Sequence, residues 1–115
     1  MTFDMEYSGA VQVVTFTGPS LDASNNREFV ESFSPYLTEA GHVIFDMSHL
    51  RFVDSSGLGS LMLCLRRLKA SGGTMKLCGL SKSVLALFEL VRMNRVFEIY
   101  PNREEALRAY KEPAG

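Results

Sequence analysis

Two adjacent serines, Ser55 and Ser56, lie between the carboxylate of Asp54 and a Gly-Leu-Gly segment at residues 57–59. An apolar pattern typical of a helix begins here, so the spacing predicts that one of the serines is the N-cap residue. Helix capping alone would explain a hydroxyl at this position. It does not explain two glycines in the first turn, because each glycine lowers helix propensity by about 1 kcal/mol. Small residues allow another protein to approach closely, and the exposed N–H groups of a helix start favour a phosphate. A hydroxyl in this position is therefore suited to covalent modification.

Enzymatic chemistry at the same serines is the competing interpretation. The Gly-x-Ser-x-Gly pattern of serine hydrolases is missing, and neither His42 nor His49 has the sequence context of a general base. The two histidines also lack cysteines or carboxylates at ligand spacing, which argues against a zinc site. Residues 57–59 lack the further glycine and the lysine of a phosphate-binding loop. We therefore expect no catalytic residue, no metal and no cofactor in this chain.

The formal net charge of −1 conceals an uneven distribution of charge along the chain. Residues 1–54 carry eight acids and two bases, a sum of −6, whereas residues 55–88 carry five bases and no acid. The boundary falls between Asp54 and Ser55, so no acid follows Ser55 in the adjoining helix. Five dispersed bases are too few to indicate nucleic-acid binding.

The length of 115 residues and the hydrophobic content of 46% favour one domain over residues 1–115, with a single hydrophobic core. Cys64 and Cys78 lie in apolar stretches and are predicted to be reduced core residues. No apolar run reaches the roughly 20 residues that span a bilayer, and the first residues are acidic where a signal peptide is basic. We therefore expect a cytoplasmic protein without membrane contact.

Strand and helix patterns alternate along the chain. Runs of β-branched and aromatic residues predict strands, and apolar residues at spacings of three and four predict helices. The alternation from residue 42 onward favours βαβ crossovers, so the predicted fold class is α/β, with a mixed, largely parallel sheet of four or five strands and about four α-helices. In chain order we expect a hairpin over 2–17, a helix over 22–40, a strand at 42–47, a connection over 48–53, a helix over 58–70, a strand at 74–78, a helix over 81–91, a strand at 96–100 and a closing helix capped by Asn102.

The segment Phe-Val-Asp-Ser-Ser-Gly-Leu-Gly at residues 52–59 resembles the Asp-Ser-Ser/Thr-Gly-Leu-Gly signature of STAS domains, specifically of bacterial anti-sigma factor antagonists. The resemblance extends to Gly-Gly at residues 72–73 and to residues 87–97, and it covers nearly the whole chain. One departure lies at residues 18–22, which read Gly-Pro-Ser-Leu-Asp where the family often has Gly-Glu-Leu/Ile-Asp. The glutamate is absent and one residue is added.

The resemblance implies that Ser55, directly after the aspartate, is a phosphoacceptor in a regulator that is not an enzyme. In the family, the unmodified form binds an anti-sigma factor of histidine-kinase-like ATPase fold and frees the sigma factor. The same partner is the serine kinase that switches the antagonist off, and a serine phosphatase restores it. We expect a monomer or weak dimer. The expected partner-binding residues are Asp22, Asp54, Ser56, Gly57, Leu58, Gly59, Ser60, Leu63, Arg66 and Arg67.

Other interpretations of the same features remain open at this point. Asp22 alternatively caps the first predicted helix, and residues 60–67 alternatively present a solvated face. The same fold also serves as a stand-alone STAS subunit of an ABC-type lipid-transport complex or of a signalling scaffold, in which the serine needs no phosphate.

Overall fold

Seven strands and four α-helices lie within residues 3–37 and 41–111, which the computed structural model describes. The strands are β1 (Phe3–Ser8), β2 (Val11–Phe16), β3 (Ser20–Leu21), β4 (His42–Asp46), β5 (Phe52–Val53), β6 (Thr74–Cys78) and β7 (Glu98–Tyr100). The helices are α1 (Asn26–Leu37), α2 (Ser55–Ala70), α3 (Lys82–Leu90) and α4 (Arg103–Lys111), and a 3₁₀ turn (Met93–Arg95) follows α3.

Five of these strands form the central sheet, in the order β1-β2-β4-β6-β7. β1 and β2 are an antiparallel hairpin, and every other neighbouring pair is parallel. Parallel neighbours need a crossover connection, which α1, α2 and α3 supply in turn. The predicted hairpin and the predicted largely parallel α/β sheet are confirmed.

A second, two-stranded sheet pairs β3 with β5 in parallel. Ser20 lies opposite Phe52, and Leu21 lies opposite Val53. The prediction of a strand-free connection over residues 48–53 was wrong, because a two-residue strand is too short to give a periodic pattern. This small sheet holds the segment before α1 beside the segment before α2.

Helices cover both faces of the central sheet. On one face, Phe29 of α1 packs against Phe16 with ring centroids 5.0 Å apart, and Phe33 packs against Phe45 at 5.3 Å. On the other face, α4 buries Ala106 in a smaller cluster with residues of β2, β4 and β6. Because helices cover both faces, both sets of alternating side chains in the inner strands are buried, as in other parallel sheets.

The predicted first helix begins later than the sequence pattern suggested. α1 starts at Asn26, and residues 22–25 form a turn instead of its first turn. Phe29 and Phe33 are buried as the apolar spacing predicts. The predicted end of this helix at residue 40 lies outside the described residues.

Both cysteines are buried free thiols, which confirms the prediction that Cys64 and Cys78 are reduced core residues. Burial raises the pKa of each thiol to about 12. Both therefore stay protonated and unreactive near neutral pH.

An ion-pair cluster attaches α4 to the sheet. Arg103 donates to the Asp46 carboxylate through Nη2 at 3.0 Å, to Thr15 Oγ1 at 2.9 Å, and also to Glu6. Burial opposes the charge on Asp46, but hydrogen bonds from Ser48 and Arg103 outweigh it, so the pKa of Asp46 lies below its ordinary value. No local sequence pattern predicts this cluster, because its members are distant in sequence.

Candidate functional site

The N-cap of α2 is Asp54, not one of the two serines. Its backbone is extended, with φ −99° and ψ −175°, and its Oδ1 accepts a hydrogen bond from Gly57 N at 2.9 Å. The prediction of a serine N-cap was wrong by one residue, because helical hydrogen bonding already begins with the Asp54 carbonyl, which accepts from Leu58 N. Ser55 is therefore the first helical residue, with an exposed side chain. Its hydroxyl makes no hydrogen bond to the described residues.

The two glycines of the first turn have different reasons to be glycine. A β-carbon at Gly57 would lie 2.1 Å from the backbone oxygen of Leu21, so the contact between α2 and β3 requires glycine there. A β-carbon at Gly59 would meet no atom within 4 Å. The fold therefore accounts for Gly57 and leaves Gly59 as an exposed helical glycine without a packing role.

Asp54 also joins α2 to the turn that precedes α1. Its Oδ2 accepts a hydrogen bond from Ala23 N at 3.1 Å, and its backbone N–H donates to the Leu21 oxygen at 3.3 Å. Both carboxylate oxygens of Asp54 thus bind backbone amides of this chain. The fold brings the segment around Asp22 beside Ser55, although more than thirty residues separate them in sequence.

Asp22 does not cap α1. Its Oδ1 accepts hydrogen bonds from Ser24 N at 2.9 Å and from the Ser24 hydroxyl. These hydrogen bonds from the Ser24 side chain and backbone hold the pKa of Asp22 below its ordinary value. The Asp22 carbonyl accepts from Asn26 N at 2.9 Å and closes the turn before α1, and the Asn25 carbonyl at the helix start accepts from Phe29 N at 3.0 Å. Asp22 therefore shapes the turn rather than the helix end.

The outer face of α2 presents several of the predicted contact residues to solvent. Ser55, Gly59, Arg66 and Arg67 are exposed, and Leu63 is half-buried. These positions recur at spacings of three, four and seven residues, so they form one face of the helix. Their role in partner binding stays a prediction.

Other predicted contact residues face inward. Ser60 is only 4% exposed and donates its hydroxyl to the Ser56 oxygen at 3.0 Å, which argues against a direct contact with a partner. Gly57 is also buried, and Leu58 packs against the core. Ser56 is half-buried. Gly57, Leu58 and Ser60 support the surface around Ser55 from beneath.

The surroundings of Ser55 do not resemble a hydrolase site. His42 lies at the start of β4, where its Nδ1 is 2.7 Å from Thr74 Oγ1, and His49 is exposed. Within residues 3–37 and 41–111 neither histidine forms a hydrogen bond with Ser55, and no three potential metal-ligating side chains cluster. No helix in the described part of the chain is long and apolar enough to cross a membrane.

Ala23 and Ser24 were not among the residues predicted from the sequence, although they lie at the site. Both are exposed and lie beside the start of α2 through the bond between Ala23 and Asp54. Neither residue type indicates a site by itself. The Asp-x-Ser spacing at residues 22–24, typical of a side-chain-closed turn, is the signal that could have located this loop.

Comparisons with known proteins agree with this architecture. The family model described as STAS domain matches residues 2–106. The anti-sigma F factor antagonist of Paenibacillus polymyxa is 30% identical over 109 residues, which cover 93% of this chain and 92% of that protein. An anti-sigma factor antagonist from Mycobacterium paratuberculosis has a similar structure, with a TM-score of 0.86 at 20% identity, covering 96% of this chain and 94% of that one.

The anti-sigma factor antagonist SpoIIAA has the same fold in two states. Its unphosphorylated form gives a TM-score of 0.78 at 22% identity and covers 98% of this chain and 99% of that one. The phosphorylated form from Bacillus gives a TM-score of 0.70 at 22% identity and covers 94% of this chain and 98% of that one. At this identity the structures show the fold alone, but the sequence match and the family model extend along most of the chain. The protein is therefore a STAS domain that belongs to the family of anti-sigma factor antagonists.

Proposed function

We propose that this protein is an anti-sigma factor antagonist whose binding is switched off by phosphorylation of Ser55. The unmodified form binds an anti-sigma factor of histidine-kinase-like ATPase fold, and this frees the sigma factor. The same partner phosphorylates Ser55 and dissociates, and a serine phosphatase restores the binding form. The chain acts in the cytoplasm and catalyses no reaction itself.

The free hydroxyl of Ser55 is the observation that carries this proposal. Asp54 caps α2, and the Ser55 hydroxyl makes no hydrogen bond to the described residues. The side chain is exposed at the first position of α2, and Gly59 leaves open space one turn further along. A kinase active site can therefore reach the hydroxyl without displacing any part of the fold.

The transfer step needs only an acceptor from this chain. The Ser55 oxygen attacks the γ-phosphorus of an ATP molecule bound by the kinase, and the bond from that phosphorus to the β–γ bridging oxygen breaks. ADP leaves, and the hydroxyl proton passes to a base of the kinase. Positioning and charge stabilisation account for most of the catalysis in such reactions, and here the kinase and its Mg²⁺ supply both.

The added charge explains how one phosphate can end binding without unfolding the domain. Phosphoserine carries about −1.5 to −2 charges, and the dipole at a helix start stabilises such a group by about 0.3–1 kcal/mol. A partner carboxylate about 6 Å away would be repelled by about 3 kcal/mol per unit charge at an effective dielectric constant of about 20. That repulsion lowers affinity on the order of 100-fold. The interface is therefore more sensitive to the phosphate than the fold is.

The relatives favour this function over a transport subunit. The Paenibacillus polymyxa relative is named as an anti-sigma F factor antagonist and matches this chain over nearly all its length. A stand-alone subunit of a lipid-transport complex would use the same surface to bind a transporter ATPase. Capture of partners from the cells that make the protein distinguishes the two, since one function retrieves a serine kinase and the other a transporter subunit.

Phosphosite mapping tests the proposal directly. The purified chain is incubated with the captured kinase and ATP-Mg²⁺, and modified residues are located by peptide mass spectrometry. We expect phosphate on Ser55 in the natural chain and in Ser56→Ala, and none in Ser55→Ala. Phosphate on Ser56 alone, or equal labelling of all three proteins, would show that Ser55 is not the acceptor.

A further inference from the structure

We propose that Asp54 is a positioning residue that latches the loop at residues 22–25 onto the start of α2, and that phosphate on Ser55 releases this latch. The inference rests on the proposed phosphorylation of Ser55 and concerns what that modification does to the chain itself. It adds a change in loop order to the charge repulsion described above.

The latch consists of the two carboxylate oxygens of Asp54. Oδ1 accepts from Gly57 N at 2.9 Å and caps the helix, while Oδ2 accepts from Ala23 N at 3.1 Å and holds the loop. The two bonds differ in their surroundings, because Gly57 is buried whereas Ala23 is exposed. Water can replace the partner of an exposed amide at little cost, so the bond to Ala23 is the weaker of the two.

The rest of the loop is held by bonds within its own segment. Asp22 binds Ser24, Asn25 Oδ1 accepts from Asp22 N at 2.9 Å, and Asn25 Nδ2 donates to the Ser20 oxygen at 2.8 Å. These bonds preserve the shape of the turn but do not attach its exposed tip to α2. Loss of the bond between Ala23 and Asp54 therefore frees the tip relative to Ser55 without unfolding the turn.

A phosphate on Ser55 acts on this weaker bond through its charge. It places a group of about −1.5 to −2 charges on the residue next to Asp54, which repels the carboxylate. The carboxylate keeps its short bond to the buried Gly57 amide and loses the exposed one to Ala23.

A substitution can break one half of the latch and leave the other. Asp54→Asn keeps one acceptor oxygen for the Gly57 amide. Its side-chain nitrogen then faces the Ala23 N–H, and two donors cannot form a hydrogen bond. Asp54→Ala removes both acceptors. The three proteins with Asp, Asn and Ala at this position therefore separate helix capping from loop attachment.

Amide hydrogen exchange, followed by NMR on the whole chain, measures both halves of the latch. Phosphoserine is introduced at position 55 during synthesis, and a matched control carries phosphoserine at Ser83, an exposed serine in the first turn of α3. We expect the Ala23 amide to exchange about tenfold faster in the Ser55-phosphorylated chain and in Asp54→Asn, with Gly57 still protected. Asp54→Ala exposes both amides, and the Ser83 control leaves both unchanged.

Two results would overturn the inference. One is an Ala23 amide that exchanges equally fast in the unmodified and Ser55-phosphorylated chains, and the other is an Ala23 amide that stays protected in Asp54→Asn. Neither result bears on whether a kinase modifies Ser55, because the phosphate is introduced without a kinase. Phosphosite mapping tests that function separately.

Discussion

Gly57 lies against the backbone of Leu21 so closely that a β-carbon on residue 57 would come within 2.1 Å of the Leu21 oxygen. The contact sets the distance between α2 and the small β3–β5 sheet. Ser55 lies two residues before Gly57, so this backbone contact places Ser55 beside the loop at residues 22–25. The hydrogen bond from Ala23 N to the Asp54 carboxylate holds the same loop.

The two glycines of the first turn should respond in opposite directions to alanine. Gly57→Ala forces backbone atoms apart and should lower the free energy of unfolding by about 1–3 kcal/mol. Gly59→Ala meets no neighbour and should raise it by up to about 1 kcal/mol, because alanine is the better helix former. Urea unfolding monitored by circular dichroism measures both. If Gly59 faces the partner, Gly59→Ala also weakens partner binding despite its greater stability. A Gly57→Ala protein as stable as the natural chain would contradict the close contact.

Substitutions at Ser55 should separate binding from folding. Ser55→Ala should bind the captured anti-sigma factor kinase as the natural chain does, whereas Ser55→Asp should bind on the order of 10-fold to 100-fold more weakly through charge repulsion. Both variants should unfold at the same denaturant concentration as the natural chain. The Ser55 hydroxyl makes no hydrogen bond to the described residues, and the helix dipole favours an acid at the first helical position. Titration calorimetry with kinase loaded with a non-hydrolysable ATP analogue measures the affinities without modifying Ser55, and Ser83→Asp on α3 is the matched control. Equal affinities for the alanine and aspartate variants would contradict the switch.

The position of the two serines at the start of a helix could be predicted from the sequence, but the role of each neighbouring residue could not. The spacing of residues 54–59 placed the hydroxyls at a helix start, since helix periodicity and glycine positions are local signals. The identity of the N-cap residue changes when the predicted helix start moves by one position, and local patterns do not fix a helix start that closely. Two further features depend on contacts between residues more than thirty positions apart, which a local pattern cannot reveal. One is the close approach of Leu21 that requires glycine at position 57, and the other is the hydrogen bond from Ala23 to Asp54.

Acid should weaken the attachment of α4 through Asp46. Its pKa is lower in the folded chain than the ordinary value of 3.8, since the hydrogen bonds from Ser48 and Arg103 outweigh the effect of burial. Its contribution to stability is therefore fully present above that ordinary value and is lost as the pH falls through the lower, folded-state pKa. Denaturant unfolding between about pH 5 and pH 2 should show a smaller pH dependence in Asp46→Asn than in the natural chain. The control is Glu31→Gln, which removes a carboxylate at an exposed position of α1, outside the Arg103 cluster. Parallel curves for the natural chain and Asp46→Asn would contradict this role.

Arg92 should be replaceable by glycine with a gain in stability. It ends α3 with φ 61° and ψ 25°, the left-handed conformation, and its amide donates to the Glu89 oxygen at 3.1 Å. A residue with a β-carbon pays about 1 kcal/mol or more in this region, whereas glycine adopts it freely and is common just after a helix end. Arg92→Gly should therefore raise the free energy of unfolding by up to about 1 kcal/mol despite the greater freedom of glycine in the unfolded chain. Arg95→Gly, in the following 3₁₀ turn where φ is negative, should lower it. Thermal and urea unfolding of the two variants measure the difference, and equal destabilisation by both would show that Arg92 is not strained.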